Sequence, residues 1–591
     1  MEHYEAPFED IYFALTKIAN IDNYVKETGN TEISSDDIKM LLEQAGKFAK
    51  EELATINQKG DLEGVKLENG VVRMPKYFIS AYKSFINSGW FSVVGEKEFG
   101  GQNLPWAAIV GINEIWESAN MSFAVNNMLT QGAIECIQEH GSISQKKHFL
   151  PNLISGKWSG TMNLTEPHAG SDLSQLKTKA IKSGKQFKIV GTKIYITHGD
   201  QDMTENIVHL VLARLPNAPK GVKGISLFLV PKYYETLEGR IKKNDIKVLS
   251  IEHKLGHNAS PTCVLSFGEE EGAYGELVGE ENQGLKAMFT MMNNARLNVG
   301  VQGVAISERA YQKAIHFARE RKQGNSLDKP EAQDITIINH PDVKRMLMEM
   351  RSQIEAMRAL TILTGEMIDY YKSFSDSKKG KEYLYLTNLL TPIVKGWCTD
   401  QSVYITSLGI QIHGGMGFIE DTGAAQYFRD SRILPIYEGT NGIQAIDLIK
   451  RKLNQENGET FKRLLNMIEK TSNLCEQSDR LDIKNIGNSL KIAKKNLEET
   501  GVWLIENLDK DILKAASGAT PFLSMFGWVL GGWVMAKSAL QAYRLIENKT
   551  NVTFAKDKIN TAIFYSDTYL PIASSLKSTI MKSHNSIRFV V

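Results

Sequence analysis

Three textures of hydrophobic and polar positions follow one another along the chain. Up to about residue 155 the apolar positions recur at helical spacing. Ile38, Leu41, Leu42, Ala45, Phe48 and Ala49 share one stripe, and Ser35 or Asp36 stands where a cap is expected. Between about 158 and 280 the period shortens. The runs Phe187–Val190, Lys193–Thr197, Ile207–Leu212, Gly224–Val230 and Thr262–Phe267 are short, β-branched and separated by Gly, Asn or Pro, as strands are. From Gly284 onward helical spacing returns: His340, Pro341 and Asp342 open a helix with Val343, Met346, Leu347 and Met350 on one face.

This succession predicts an α+β fold. A helical domain with an N-terminal extension is expected over 1–157, and a central β-barrel-like or sandwich domain over 158–283. A helical bundle over 284–455 and an additional C-terminal helical domain over 456–591 complete it. The polar stretches Gln323–Gln333 and Lys372–Lys381 read as linkers. The pattern is not the βαβ alternation of a doubly wound nucleotide-binding sheet.

Composition narrows the class. A chain of 591 residues with 42% hydrophobic and 23% charged residues has ordinary soluble globular character, enough for two to four domains. A formal charge of +1 gives no support for nucleic-acid binding. The stretch from Met1 to Glu5 lacks the features of a signal or transit peptide, and Cys136, Cys263, Cys398 and Cys475 form no CxxC pair. Buried thiols in the cytoplasm are expected. The apolar stretch Pro521–Ala536 is shorter than the about 20 residues of a spanning helix. Its three glycines and one serine suit a buried helix with close contacts, so membrane contact is possible but not expected.

Five places hold candidate chemistry. In Met162–Asp172, small residues around Gly170 let a backbone approach a ligand, while Thr165 and Ser171 offer donors; the plain alternative is a polar turn capped by Asp172. Tyr195 and Thr197 close a strand, where alternation would put a ring and a hydroxyl on one face. Arg321 follows Ala310 by eleven residues, which returns a helix to nearly the same azimuth. A guanidinium on that apolar side implies an anionic partner, unless it merely favours a helix C-terminus. Gln411–Gly417 has the glycines of a phosphate cradle but the spacing of neither GxGxxG nor GxxxxGK[ST], and no HExxH metal cluster occurs.

The fifth is Glu438, a lone carboxylate between the apolar segment Arg432–Tyr437 and a helix expected to start at Thr440 or Asn441. That helix would carry Ile443, Ile446, Ile449 and Leu453. Taken alone, Glu438 suits the positive end of a helix dipole. A carboxylate there is costly to desolvate unless it is paired or has work to do.

In their order and separation these motifs resemble the acyl-CoA dehydrogenase family of flavoproteins. The resemblance covers roughly residues 70–453 and rests on Thr165–Asp172, Tyr195–Gly199, Leu255–Thr262, Asn293–Arg296, Glu320–Lys322, Gln411–Gly417 and Tyr437–Thr440. The added N-terminal and C-terminal helical segments resemble a bacterial subgroup that includes 3-methylthiopropanoyl-CoA and broad-range fatty acyl-CoA dehydrogenases. The resemblance implies FAD between the β domain and the following helices. Met162, Leu164, Thr165 and Ser171 would border the flavin, Tyr195 and Thr197 would lie beside its ring, and Thr440 would lie nearby. Arg321, Gln411, Gly414 and Gly415 would contact its pyrophosphate or adenosine part across a homodimer interface. Asn293 and Arg296 would lie near the thioester end of the acyl-CoA, joined there by Ser171, Tyr437 and Gly439. Two departures stand out: no Phe follows Arg321, and position 195 is Tyr where Trp is common.

The implied reaction is desaturation of an acyl-CoA to its trans-2 enoyl thioester. Glu438 would be the base, flavin N5 the hydride acceptor, and an electron-transfer flavoprotein the partner. The backbone N–H of Glu438 and a ribityl hydroxyl would hold the thioester oxygen, such donors typically being worth about 3 kcal/mol. A free Glu with pKa near ~4.3 is a weak base, so desolvation by bound substrate, opposed by the helix dipole, is expected to raise it. An acyl-CoA oxidase using oxygen and a non-enzymatic acyl-CoA-binding protein are the alternatives. Substrate, whether a fatty acyl-CoA or 3-methylthiopropanoyl-CoA, and oligomeric state, dimer or dimer of dimers, stay open.

Overall fold

A computed structural model describes residues 3–29, 33–236, 238–328, 331 and 333–587. Met1 and Glu2, and Lys329, Pro330 and Ala332 of the first linker, lie outside the described residues. Helix α1 (Ser35–Phe48) buries Ile38, Leu42 and Ala45, but its cap is Ser34 rather than Ser35 or Asp36. Ser34 Oγ accepts from the Asp37 N–H at 3.1 Å while Asp37 Oδ2 accepts from the Ser34 N–H at 2.9 Å. The reciprocal pair satisfies donors at both positions, which neither expected cap achieves. Helices α2 (Trp106–Ala119) and α3 (Met121–His140) follow and are buried along most of their length.

Eight strands then form one sheet: β1 (Trp158–Asn163), β2 (Lys179–Ser183), β3 (Gln186–Thr197), β4 (Asn206–Ala213), β5 (Ser226–Pro231), β6 (Ile246–Ile251), β7 (Thr262–Phe267) and β8 (Ala273–Val278). Their order is β6-β7-β3-β8-β5-β4-β1, with β2 also paired to β3. The pair β1–β4 is parallel and the others are antiparallel. The two runs separated at Gly191 in the sequence are thus one long strand, β3. Strand β4 is buried on both faces. Val208, Leu210 and Leu212 pack with the helices, while Val211 and Ala213 join Phe187, Ile189, Phe228 and Val230 on the other side.

Helices α4 (Gly284–Glu320), α5 (Pro341–Ser373) and α6 (Lys378–His413) make the bundle. The expected second linker is therefore only a tight turn between α5 and α6. Gly300 and Gly303 let α4 approach α6 closely: a Cβ on Gly303 would lie 2.7 Å from the Cys398 carbonyl oxygen. The short helix α7 (Asn441–Asp447) follows Glu438. It buries Ala445, and beyond it Leu448, Ile449 and Leu453 are buried, but Ile446 is exposed, contrary to expectation.

The apolar stretch lies in α8 (Ala519–Glu547), long and apolar enough by composition to cross a membrane, with 83% of its most apolar window buried in the protein. Its glycines seat Trp397 of α6. A Cβ on Gly527 would lie 2.1 Å from the Trp397 ring and one on Gly531 2.9 Å from it. Helix α9 (Val552–Thr568) is tied in by Lys558, which pairs with Asp10 and lies 3.2 Å from Glu355. All four cysteines are buried and free.

A buried triad fixes the crossing of α2, α4 and α5: Arg358 Nη2 reaches Glu114 Oε1 at 2.6 Å and Glu308 Oε2 at 2.8 Å. Removing the cation leaves two carboxylates without compensation, at a cost of about 3–5 kcal/mol. Arg358→Met is therefore expected to lower the urea midpoint of unfolding markedly. An unchanged midpoint would refute this role of the triad.

Candidate active site

Glu438 sits where the chain turns into α7, with φ +56°. The left-handed region costs a residue with a side chain about 1–2 kcal/mol, and such strain persists where the surroundings over-determine it. The surroundings here are specific. Thr440 is the N-cap, its hydroxyl accepting from the Ile443 N–H at 3.3 Å. Gly439, at φ +83°, has no room for a Cβ, which would meet Gln444 Nε2 at 2.8 Å. Gln444 Nε2 donates to the carbonyls of Glu438 and Gly439 at 3.2 and 3.3 Å, and Arg296 Nε donates to that of Glu438 at 3.4 Å. Lys395 Nζ donates to the Gly439 carbonyl at 2.9 Å and to Asn441 Oδ1 at 2.8 Å. The turn is thus clamped through its carbonyls.

Burial pushes the Glu438 carboxyl up to about 7, with Arg296 and then Lys395 pulling against the rise. Burial also pushes the Lys395 ammonium down to about 7, against the pull of Glu438. Two expectations change. The carboxyl is raised by the protein itself rather than only by bound substrate, and the opposing charges are two side chains rather than chiefly the helix dipole, since α7 has only seven residues. Tyr437 donates its hydroxyl to Gln302 Oε1, and Gln302 Nε2 lies 3.5 Å from Met128 Sδ. Arg296 is buried and faces this turn, whereas Asn293 is exposed and makes no part of it.

A second group forms on the sheet. The Ile194 N–H donates to the Thr165 carbonyl at 2.9 Å, so Leu164 and Thr165, just beyond β1, meet the end of β3 that holds Tyr195 and Thr197. Met162, next to last in β1, is half-buried, and Ser171 is exposed. The loop is held by Glu166, which accepts from the backbone of Lys177 at 2.7 Å and of Thr178 at 3.0 Å and pairs with buried Lys193 at 2.9 Å. Asp172 Oδ1 accepts from the Ser174 N–H at 2.8 Å, so it caps the turn. Tyr195 departs from the expected alternation. Its φ is +60°, and the register between β3 and β7 shifts between Cys263 and Leu265, a bulge that breaks the i, i+2 rule. The ring is left 62% exposed.

A third group gathers where α4 and α6 end. Helix α4 stops at Glu320, one residue short of Arg321. Arg321 is accordingly exposed, 3.3 Å from Gln323 Oε1, and does not lie on the buried stripe that azimuth alone predicts. Phe317 stacks on His413 with centroids 4.5 Å apart, which brings this end beside Gln411, Gly414 and Gly415. Added Cβ atoms on those two glycines would meet nothing within 4 Å. An exposed cation and open glycine backbone suit a diphosphate, and the exposed Tyr195 ring beside Leu164 and Thr165 suits a planar ring system.

Sequence reasoning missed Lys395, Gln444, Glu166 and Gln302. Lys395 carried a signal, as the one cation inside the apolar run Leu389–Trp397.

Comparison with known proteins agrees across the chain. Residues 35–157 match a model described as acyl-CoA dehydrogenase, N-terminal domain, and residues 161–269 match the middle domain of that name. Residues 282–453 match acyl-CoA dehydrogenase, C-terminal domain, and 464–588 match acetyl-CoA dehydrogenase C-terminal like. The chain is 43% identical over 586 residues to 3-methylmercaptopropionyl-CoA dehydrogenase of Ruegeria pomeroyi, covering 99% of each. It is 30% identical, with 99% of each covered, to a broad-specificity linear acyl-CoA dehydrogenase of Mycobacterium tuberculosis. Among solved structures, Caenorhabditis elegans ACDH-11 in complex with C11-CoA superposes with a TM-score of 0.79 at 18% identity, covering 100% of this chain and 96% of that one.

Proposed function

The chain belongs to the acyl-CoA dehydrogenase family, flavin-dependent oxidoreductases that bind FAD, and from that premise we propose that it forms the trans-2 double bond of an enoyl-CoA with Glu438 as base. The observation that carries this reading is the half-buried Glu438 on a backbone turn clamped by Arg296, Lys395 and Gln444, where desolvation pushes its carboxyl up to about 7. A base titrating near the operating pH combines the correct ionised form with a strong pull on a proton.

In this reading Glu438 takes the proton from the α-carbon of the thioester. Its own backbone N–H donates to the thioester oxygen, where negative charge develops. Arg296, with Ser171, Asn293, Tyr437 and Gly439, borders the acyl-CoA. Arg296 and Lys395 keep Glu438 from rising so far that it stays protonated. FAD, when bound, supplies the acceptor for the hydride that leaves the β-carbon. The residues that would hold it are Met162, Leu164, Thr165, Ser171, Tyr195, Thr197 and Thr440 on the ring side, with Arg321, Gln411, Gly414 and Gly415 toward its diphosphate.

The exposed Met416, Phe418 and Ile419 beside those glycines support a second copy of the chain at that end, hence a homodimer. The same reading takes an electron-transfer flavoprotein as electron acceptor, the cytoplasm as location, and domain limits at 157, 283 and 455. The acyl group is that of a fatty acyl-CoA or of 3-methylthiopropanoyl-CoA, as the names of the relatives suggest.

Glu438→Gln is expected to purify yellow and FAD-loaded but to lose acyl-CoA-dependent flavin bleaching by at least about a hundredfold. Normal bleaching would refute Glu438 as base, and peroxide formed in step with turnover would make the enzyme an oxidase. Ionised Glu438 is the active form, so kcat/KM should fall as pH drops below about 7. Lys395→Met removes a charge that favours the ionised form, so it should move this acid limb to higher pH by about one unit. A limb that stays in place or moves downward would contradict that role for Lys395.

A further inference from the structure

Gln444 lies in the first turn of α7, its own N–H donating to the Thr440 carbonyl at 3.0 Å. Side chains lean toward the N-terminus of their helix, so its amide folds back over the turn that carries Glu438. There Nε2 bridges two successive peptides, reaching the carbonyls of Glu438 and Gly439 at 3.2 and 3.3 Å. Arg296 reaches the first of these carbonyls and Lys395 the second.

The two amide bonds are not needed to satisfy the backbone. Without them the Glu438 carbonyl keeps Arg296 Nε at 3.4 Å, and the Gly439 carbonyl keeps Lys395 Nζ at 2.9 Å. Nor does the amide gain by its burial. Gln444 is 1% exposed, and its Oε1 has no hydrogen-bond partner among the described residues. A buried acceptor left unpaired is destabilising, whereas an apolar side chain of similar shape is not. Turning the amide over gives no relief, because Oε1 would then face two carbonyl oxygens.

What the amide provides is direction. Glu438 stands at φ +56° and Gly439 at φ +83°, and a Cβ on Gly439 would lie 2.8 Å from the amide nitrogen. On the other side of Glu438, the Tyr437 N–H is held by the Ile433 carbonyl at 3.1 Å. The Glu438 N–H donates to no backbone carbonyl among the described residues, which leaves it open to a ligand.

Building on the reading of Glu438 as base and oxyanion donor, we propose that Gln444 is a positioning residue. By fixing the peptide planes on either side of Gly439, it aims the carboxylate and the N–H of Glu438 at one thioester. Being neutral, it does so without adding to the charge that Arg296 and Lys395 bring to the base.

The test uses full-length, FAD-loaded enzyme with pentanoyl-CoA or 3-methylthiopropanoyl-CoA, whichever the native enzyme turns over faster. Gln444→Leu should lower kcat at least about thirtyfold and leave KM within about threefold, as expected when transition-state alignment is lost. (Methylthio)acetyl-CoA has sulfur in place of the β-carbon and no hydride to give, so exchange of its α-protons with D2O reads proton removal alone. That exchange should slow by a similar factor. The acid limb of kcat/KM should stay within about 0.3 pH unit, since no charge is removed, in contrast to Lys395→Met. The urea midpoint of unfolding should hold or rise, because an unpaired acceptor leaves the interior. Should the Leu variant fail to load FAD, Gln444→Met, unbranched and without donors, is expected to give the same results.

A kcat within about threefold of native, a loss confined to KM, or a limb displaced as in Lys395→Met would overturn the proposal. So would a midpoint that falls together with kcat, which would make Gln444 a support of the fold. Glu438→Gln that still exchanges α-protons at the native rate would overturn instead the reading beneath it.

Discussion

Desolvation of one carboxyl group is the constraint from which the helical half of this protein is best understood. A glutamate pushed up to about 7 needs low-dielectric surroundings, yet two cations, Arg296 and Lys395, sit beside it. Both are buried, and both act partly through backbone carbonyls: Arg296 on Glu438, Lys395 on Gly439. The arrangement separates two tasks. The cations hold the turn by hydrogen bonds, while burial sets how tightly the carboxyl keeps its proton. Lys395 is itself pushed down to about 7, so below that range the site gains charge at one partner as it loses it at the other.

The position of Glu438 was legible from one dimension because helix starts have local chemistry. A threonine cap, a glycine before it and an apolar run after it are neighbours in the chain. Arg321 shows the limit of that approach. The eleven-residue azimuth argument is sound for a continuing helix, but α4 ends at Glu320, and a single residue decides whether a guanidinium is buried or exposed. Tyr195 shows another. Alternation along a strand presumes an unbroken ladder, and the bulge opposite Val264 is set by pairing with β7, some seventy residues later. The family resemblance named the motifs but not the clamp. Gln444 and Lys395 acquire their roles only when α6 and α7 meet.

The same dependence on distant partners holds on the sheet. Glu166 lies inside a motif whose glycine and hydroxyls draw attention first, yet it is the residue that anchors the loop. It does so by neutralising Lys193, a cation with no exposure at all on β3. Burial pushes Lys193 down to about 8, which makes its carboxylate partner a requirement for keeping the charge inside the sheet. Loop and strand are thereby locked, and the Thr165–Ile194 hydrogen bond follows from that pairing.

Trp397 stands two residues beyond Lys395 on the same helix, and Gly527 and Gly531 receive its ring without space for a methyl group. Over evolutionary time such a fit restricts what each side can become. A larger residue at either glycine would drive the indole, and the helix behind it, toward the Lys395 clamp, while loss of the indole would leave a void that only larger residues on α8 could fill. The history of the C-terminal segment should therefore be written in correlated substitutions with α6, and a lineage that discards that segment must reinvent the surface that faces it.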